Sequence, residues 1–281
     1  MEKREYSVRR MTRDEVDIAI EWAASEGWNP GVNDAGCFYA ADPDGFLVGL
    51  LADEPVAVIS VVKYGEAFAF LGLYIVKPEY RGQGHGIAIW NAGLETLGSR
   101  TVGLDGVVAQ QDNYRRSGFV LAHRNVRYEG KGGGAPIVDP SIVRLSKDDL
   151  ALIAAYDQPM FLAERDAFLD CWLSQTQATA LGVLHDGQLA GYGVIRTCRK
   201  GMKIGPLFAD SAELAERLFL ALRAVAPTEI YLDVPAVNPA AVALAERHGM
   251  SVVFETARMY KGKAPELPLE RIFGITTFEL G

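Results

Sequence analysis

Arg81-Gly82-Gln83-Gly84-His85-Gly86 sets an arginine and three glycines into six positions, between an apolar run that ends at Val76 and a helix-like run from Ile87 to Leu97. Glycine weakens the interior of a helix or strand, so three so close together mark a loop with a backbone purpose. A glycine turn that opens a helix aims several free N–H groups at one spot, and the helix dipole adds to their pull on an anion. With no Cβ in the way, a phosphate can come within hydrogen-bond distance of the backbone, and Arg81 adds a charged donor. The chemistry this predicts is the cradling of a pyrophosphate.

Three phosphate loops compete for this stretch. A P-loop requires GxxxxGK[ST], and no Lys-Ser or Lys-Thr pair follows here. A dinucleotide loop requires GxGxxG; Ile87 stands at the third glycine position, although Asp105 lies at a suitable distance for a ribose contact. The preceding strands are hairpin-linked rather than the start of a parallel βαβ unit, which argues further against it. The third pattern, [Q/R]xxGx[G/A] after a strand, is met at every fixed position by Arg81, Gly84 and Gly86.

The elements that must hold this loop occur twice. A glycine- and proline-rich stretch, EGKGGGAPIVDP (Glu129 to Pro140), reads as containing a linker, residues 131–140. It separates an expected unit at 1–130 from a second at 141–281. Each unit opens with a short strand and a hydroxyl followed three residues later by an acid, Thr12 with Glu15 and Ser146 with Asp149, which predicts a capping box. Two hairpin-linked strands follow, turning at Asp53-Glu54 and at Asp186-Gly187. Then come a third strand, an amphipathic helix, a strand carrying Leu-Asp (Asp105, Asp233), a second helix, and a last strand with Arg and Tyr (Arg127-Tyr128; Arg258 and Tyr260). The expected fold is α/β (α+β): two copies of one unit, each a mixed, mainly antiparallel sheet flanked by helices. Gly72 to Asp105 spans 33 positions and Gly205 to Asp233 spans 28, five fewer. The missing residues fall at the glycine loop, so the loop is not needed for folding.

On Arg81–Gly86, together with Tyr114-Arg115-Arg116-Ser117-Gly118-Phe119, the first unit resembles the GNAT superfamily of acetyl-CoA-dependent acyltransferases. The whole chain, through segments such as Gly27 to Phe46 and LDVPAVN, looks like the tandem-GNAT proteins of the YitH-like type. The resemblance implies that backbone groups of Leu73, Tyr74, Ile75 and Val76 pair with the pantetheine arm of acetyl-CoA. Arg81, Gly82, Gln83, Gly84, His85 and Gly86 would hold its pyrophosphate, Gln83 and His85 mainly through backbone N–H. Tyr114 would protonate the departing thiolate. The second unit has Ala245 where Tyr114 stands and lacks the loop, so it is expected to be silent in catalysis, and either structural or part of the acceptor pocket. For the acceptor, Trp28, Asp34 and Asp105 are the candidates, with Glu66 a further acid. Trp28 reads equally as a buried aromatic, Asp34 as an Asx turn or cap, and Asp105, repeated by Asp233, as structural. An acetyltransferase acting on an amine or hydroxyl of a small-molecule or peptide acceptor is the reading; a CoA-binding sensor without turnover, or a different acyl donor, stays open. The tail from Arg271, RIFGITTFELG, is expected to add a strand or plug.

Composition agrees with this class. The 281 residues are 49% hydrophobic and 23% charged, the balance of a globular protein with a core. The net charge of −8 argues against nucleic acid or an anionic membrane as partner. No window is apolar enough to span a bilayer, and the charged start MEKREYSVRR is no secretory signal, which leaves a cytoplasmic location as the default. Cys37, Cys171 and Cys198 are far apart and form no CxxC, so neither a metal site nor a disulfide framework is expected.

Overall fold

The computed structural model describes residues 5–135, 138–161 and 163–281. Both capping boxes form: the Thr12 N–H donates to Glu15 Oε2 at 2.8 Å, and the Ser146 N–H to Asp149 Oδ2 at 2.9 Å. In the first half the order is β1 (Tyr6–Arg10), α1 (Arg13–Ser25), α2 (Asp34–Ala41), β2 (Phe46–Leu51), β3 (Glu54–Tyr64) and β4 (Phe68–Val76). There follow α3 (His85–Glu95), β5 (Thr101–Val107), α4 (Gln111–Arg116) and β6 (Val120–Lys131). The second half repeats it with β7 (Ile142–Leu145), α5 (Leu150–Phe161), α6 (Asp166–Ser174), β8 (Ala178–His185), β9 (Gln188–Thr197) and β10 (Met202–Ala209). Then come α7 (Ala212–Val225), β11 (Glu229–Pro235), α8 (Pro239–Arg247), β12 (Ser251–Lys261) and a tail strand, β13 (Ile272–Gly274). The Asp186-Gly187 turn lies where expected, both residues at positive φ, whereas the first hairpin turns at Ala52 and Asp53, one residue early.

Among the described residues the strands form a single sheet, ordered β1-β2-β3-β4-β5-β12-β6-β11-β10-β9-β8-β7, with β13 paired to β10. Only β4–β5 and β10–β11 are parallel. The two halves have exchanged their last strands: β12 lies against β5, and β6 against β11. The sheet therefore does not divide at the expected linker, residues 131–140: Lys131 still belongs to β6, and 136–137 lie outside the described residues.

An ion pair fixes each exchanged strand. Asp233 stands opposite Arg127, and Asp105 opposite Arg258. Arg127 Nε and Nη2 donate to the two Asp233 oxygens at 2.6 and 2.7 Å, and Arg258 grips Asp105 in the same bidentate way. Alternate residues of β3 feed two cores: Val58 and Val62 face one shared by both halves, Ile59 and Val61 one beneath α3. A third core lies beneath α7 and α8.

The cysteine expectation is corrected here. Cys37 of α2 and Cys171 of α6 are joined in a disulfide that ties the two halves together. They are 134 residues apart in sequence, and only the packing of α2 on α6, equivalent elements of the two copies, brings them together. Cys198 is a buried thiol whose burial pushes its pKa up, which leaves it a core residue rather than a nucleophile.

Candidate active site

The site begins where β4 loses its neighbour. β4 pairs with β5 only from Phe68 to Leu71; beyond Leu71↔Leu104 the two parallel strands part. On its other edge β4 changes register, Ser60 opposing Gly72 and Val58 opposing Ile75, so Leu73 and Tyr74 share one partner position. This is a β-bulge, and Leu73 takes a left-handed φ of 46° to make it. A bulge re-aims backbone groups and ends pairing, which exposes this edge of β4 to a cleft of about 570 Å³.

Leu73, Tyr74, Ile75 and Val76 line the β4 side, and Arg81, Gly82, Gly84 and Gly86 line the loop end. Gly84 is the N-cap of α3 with φ of 88°, and Gly82 has φ of 74°; a Cβ at either would meet no atom within 4 Å. Both glycines thus face open space beside a helix N-terminus, and the helix starts at His85, two residues before the expected Ile87. Gly86 has another reason: a Cβ there would stand 2.7 Å from the Tyr74 hydroxyl, so α3 could not approach β4. Gln83 and His85 turn their side chains elsewhere, Gln83 Nε2 to the Glu79 carbonyl at 2.9 Å and the His85 ring against Tyr6. Arg81 donates through Nε to the Val76 carbonyl at 2.9 Å and pairs with Glu26, a cleft residue at the end of α1 that the sequence reading missed.

Tyr114 stands on the opposite wall, 7% exposed, its ring stacked on Trp90 at 5.6 Å. A Cβ on Gly106 would lie 2.1 Å from that ring, so the glycine is what admits it. Burial, and secondarily Tyr74, raises the Tyr114 pKa well above the usual phenol value, so the hydroxyl keeps its proton.

The acceptor candidates separate. Trp28 lines the cleft, its carbonyl held by Arg127 Nη1. Asp105 lines it too, but is committed to Arg258 and to Asn125 Nδ2 at 2.8 Å. Asp34 does not: it is fully buried, takes Arg196 on both oxygens at 2.8 and 3.1 Å, and accepts the Gly31 N–H at 2.8 Å. Its candidacy for the acceptor site is therefore corrected to an interior ion pair joining α2 to β9. Glu66 is exposed and pairs with Arg100. Phe254 and Thr256 of β12, and Phe278 and Glu279 of the tail, complete the lining, and none of these four was singled out from sequence.

The second half shows what closes such a cleft. β10 and β11 also part after a short parallel pairing that ends at Ile204↔Leu232, and β10 has its own register shift at Gly205-Pro206. Here β13 occupies the gap: it pairs with β10 at Leu207 and Phe208, and the Ile275 N–H donates to the Asp233 carbonyl at 2.9 Å. The tail is thus an added strand and plug. β10 leads straight to α7, capped by Ser211, with no glycine loop, and Ala245 of α8 is buried where Tyr114 would stand.

Comparison with known proteins bears on this arrangement. Residues 13–119 match the profile described as "Acetyltransferase (GNAT) family", and residues 153–274 that described as "Acetyltransferase (GNAT) domain". The chain is 30% identical over 270 residues to the holothin acyltransferase of Pseudoalteromonas sp. (strain SANK 73390), covering 95% of this chain and 92% of that protein. It belongs to the GNAT family of acetyltransferases. It is 26% identical over 189 residues to the uncharacterized N-acetyltransferase YitH of Bacillus subtilis (strain 168), 66% of either chain. A solved candidate acetyltransferase of Pyrococcus horikoshii superposes with a TM-score of 0.85 at 25% identity, covering 100% of this chain and 97% of that one. The chain is a tandem GNAT acyltransferase. Among the described residues no helix is long and apolar enough to cross a membrane, and no cluster of His, Cys, Asp or Glu could hold a metal ion.

Proposed function

We propose that this GNAT acyltransferase moves an acetyl group from acetyl-CoA to an amine of a small-molecule acceptor, by direct attack of the amine on the thioester. The observation that carries the reading is the cleft between β4 and β5, with Gly82 and Gly84 open at one end, the bulged edge of β4 along one side and Tyr114 on the other. The glycines fit a pyrophosphate, since a Cβ at either would intrude into the space beside the α3 N-terminus. Arg81 and the first amides of α3 hold that charge. The exposed edge of β4, Leu73 to Val76, offers hydrogen bonds to the extended pantetheine arm, and an N–H at the bulge receives the developing oxyanion. Tyr114, kept protonated by its burial, donates to the departing sulfur. Trp28, Phe254 and Phe278 give the acceptor an apolar seat. The relative named for acyl transfer to holothin supports a small molecule as acceptor. In the second half β13 stands where the ligand would lie, so we expect one acetyl-CoA site per chain. Calorimetric titration checks that number, and two equivalent sites would overturn it. Thiol release with a panel of amines, holothin included, tests the transfer.

A further inference from the structure

The reaction proposed above has a donor for the leaving sulfur but no group to take the proton that the amine must lose. Among the described residues three carboxylates line the cleft: Glu26, Asp105 and Glu279. Glu26 stands beside Arg81 at the loop end of the cleft, which is the pyrophosphate's end rather than the acceptor's, and Asp105 is held on both oxygens by Arg258.

Glu279 is different. Each buried aspartate of this interior, Asp34, Asp105, Asp157 and Asp233, is gripped bidentately by an arginine: Arg196, Arg258, Arg165 and Arg127. Glu279 is buried too, at 4% exposure, yet among the described residues its carboxylate makes no hydrogen bond and no ion pair within 4 Å, and its oxygens are not among the side-chain atoms sealed from solvent without a partner. A buried carboxylate without a partner is costly, and such a group needs a reason. Its position supplies one. The Glu279 carbonyl lies where a Cβ on Gly72 would stand 2.1 Å away, so the tail passes directly over the residue at which β4 leaves β5. Glu279 therefore lines the end of the cleft where the bulge begins, and Phe278, Phe254, Thr256 and Trp28 line the same cleft.

We propose that Glu279, delivered by the tail of the second half, is the general base for the acceptor amine. Resting on the acetyl transfer proposed above, the step balances as follows. An acceptor that arrives as an ammonium ion first gives one proton to the Glu279 carboxylate; the neutral nitrogen then bonds to the thioester carbon, and the carbon–sulfur bond breaks with its electron pair on sulfur, which takes the Tyr114 proton, leaving one surplus proton on the new amide nitrogen for the Tyr114 phenolate. Glu279 then loses its proton to solvent. The surroundings suit a base: burial raises the Glu279 pKa, while Lys203 of β10, Arg127 of β6 and Arg196 of β9 lower it and Asp34 of α2 raises it, the sum being a rise.

The test uses the full chain with acetyl-CoA and two amines: benzylamine, a cation at neutral pH, and hydroxylamine, which is neutral there. Glu279→Gln is expected to lose about 10²–10⁴-fold in kcat/KM for benzylamine, less for hydroxylamine, with unchanged Kd for acetyl-CoA. The acid limb of the wild-type pH profile, set by a raised carboxyl pKa, is expected to vanish in the variant. A purely structural counter-ion would lower Tm, leave that limb in place and slow both amines alike, which overturns the proposal. Should the glutamine variant fail to fold, Glu279→Asp keeps the charge and decides: at least a tenfold loss in kcat/KM with acetyl-CoA affinity intact supports the base, and wild-type rates overturn it. A wild type that transfers to neither amine overturns the proposed function and the role of Glu279 with it. A wild type that transfers, matched within threefold by Glu279→Gln, overturns Glu279 alone.

Discussion

Replacing Arg127 by methionine tests whether the exchanged strands bind the two halves into one unit. The Arg127 and Asp233 side chains are 3% and 1% exposed, joined by hydrogen bonds of 2.6 and 2.7 Å, and they belong to β6 and β11, which come from different halves. Removing one partner of such a pair leaves the other charge buried and uncompensated, at a cost of about 3–5 kcal/mol. The Trp28 carbonyl also loses its donor, adding about 1 kcal/mol or more. With a urea m-value of about 3 kcal/mol/M, the ion-pair loss alone lowers the unfolding midpoint by about 1–1.7 M. Arg127→Met with Asp233→Leu is expected to recover most of that loss, since an apolar pair of similar volume can replace a buried ion pair.

The pH dependence of the same pair has a definite sign. Arg127 holds the Asp233 pKa below its ordinary value against the opposing effect of burial. A carboxyl with a depressed folded pKa contributes stability that is present above its unfolded pKa, about 3.9, and is lost as pH falls through the folded value. In Arg127→Met that contribution disappears, so the variant's deficit is largest near neutrality and narrows in acid. Denaturation monitored by fluorescence and circular dichroism reads both effects. A single-variant loss below about 1 kcal/mol, or a double variant less stable than the single, would refute the reasoning.

The loop and the acid give the other tests. Arg81→Ala is expected to weaken acetyl-CoA about tenfold, a charge-assisted contact reduced by the half-exposed position of the side chain. Gly84→Val is expected to weaken it further, because valine resists a φ of 88° and its Cβ would enter the open space at the α3 N-terminus; wild-type affinity by calorimetry would remove the loop from the site. Tyr114→Phe is expected to lower kcat by about 10²–10⁴-fold with acetyl-CoA affinity unchanged, and unchanged turnover in a thiol-release assay would reduce Tyr114 to packing against Trp90.

What was legible in the sequence was local. Capping boxes, a hairpin turn and a glycine loop are each written in a few adjacent residues; the boxes and the Asp186-Gly187 turn stand as read, and the loop is present with its helix starting two residues early, at His85. The repeat itself was legible, including an aspartate on one strand and an arginine on the last strand of each copy. Which aspartate meets which arginine was not, because two copies of one pattern are unchanged when their last strands trade places. The Cys37–Cys171 bond was hidden for a related reason: its two cysteines lie in different copies, 134 residues apart, and only the docking of α2 on α6 pairs them. Asp34 misled because its segment, by resemblance, pointed to the acceptor site, while Arg196, the partner that holds it in the interior, lies 162 residues away in sequence. The bulge at Leu73 left no mark, since leucine carries no preference for the positive φ it adopts there. Glu279 did leave one: it is the single acid in RIFGITTFELG, in a stretch buried from Ile272 onward.

Why a duplicated fold presents one open cleft follows from the backbone. Wherever two parallel strands part, their facing N–H and C=O groups need partners, and a buried edge left unpaired is costly. The second half meets this need internally, with β13 between β10 and β11. The first half does not: beyond Leu71 no strand takes that edge of β4, and the cleft beside it ends at a glycine loop fit for an anion. The tail that closes the second gap then continues past Gly205, where the Thr276 carbonyl sits within 2.4 Å of a Cβ position, to the matching place over Gly72. Both glycines stand at the point where their strand leaves its parallel neighbour, and both admit the tail's carbonyl group. One segment thus fills the gap of one copy and walls the cleft of the other. The second half, which has no such loop, is built into the first: its last strand pairs with β5, and its tail lines the cleft that stays open.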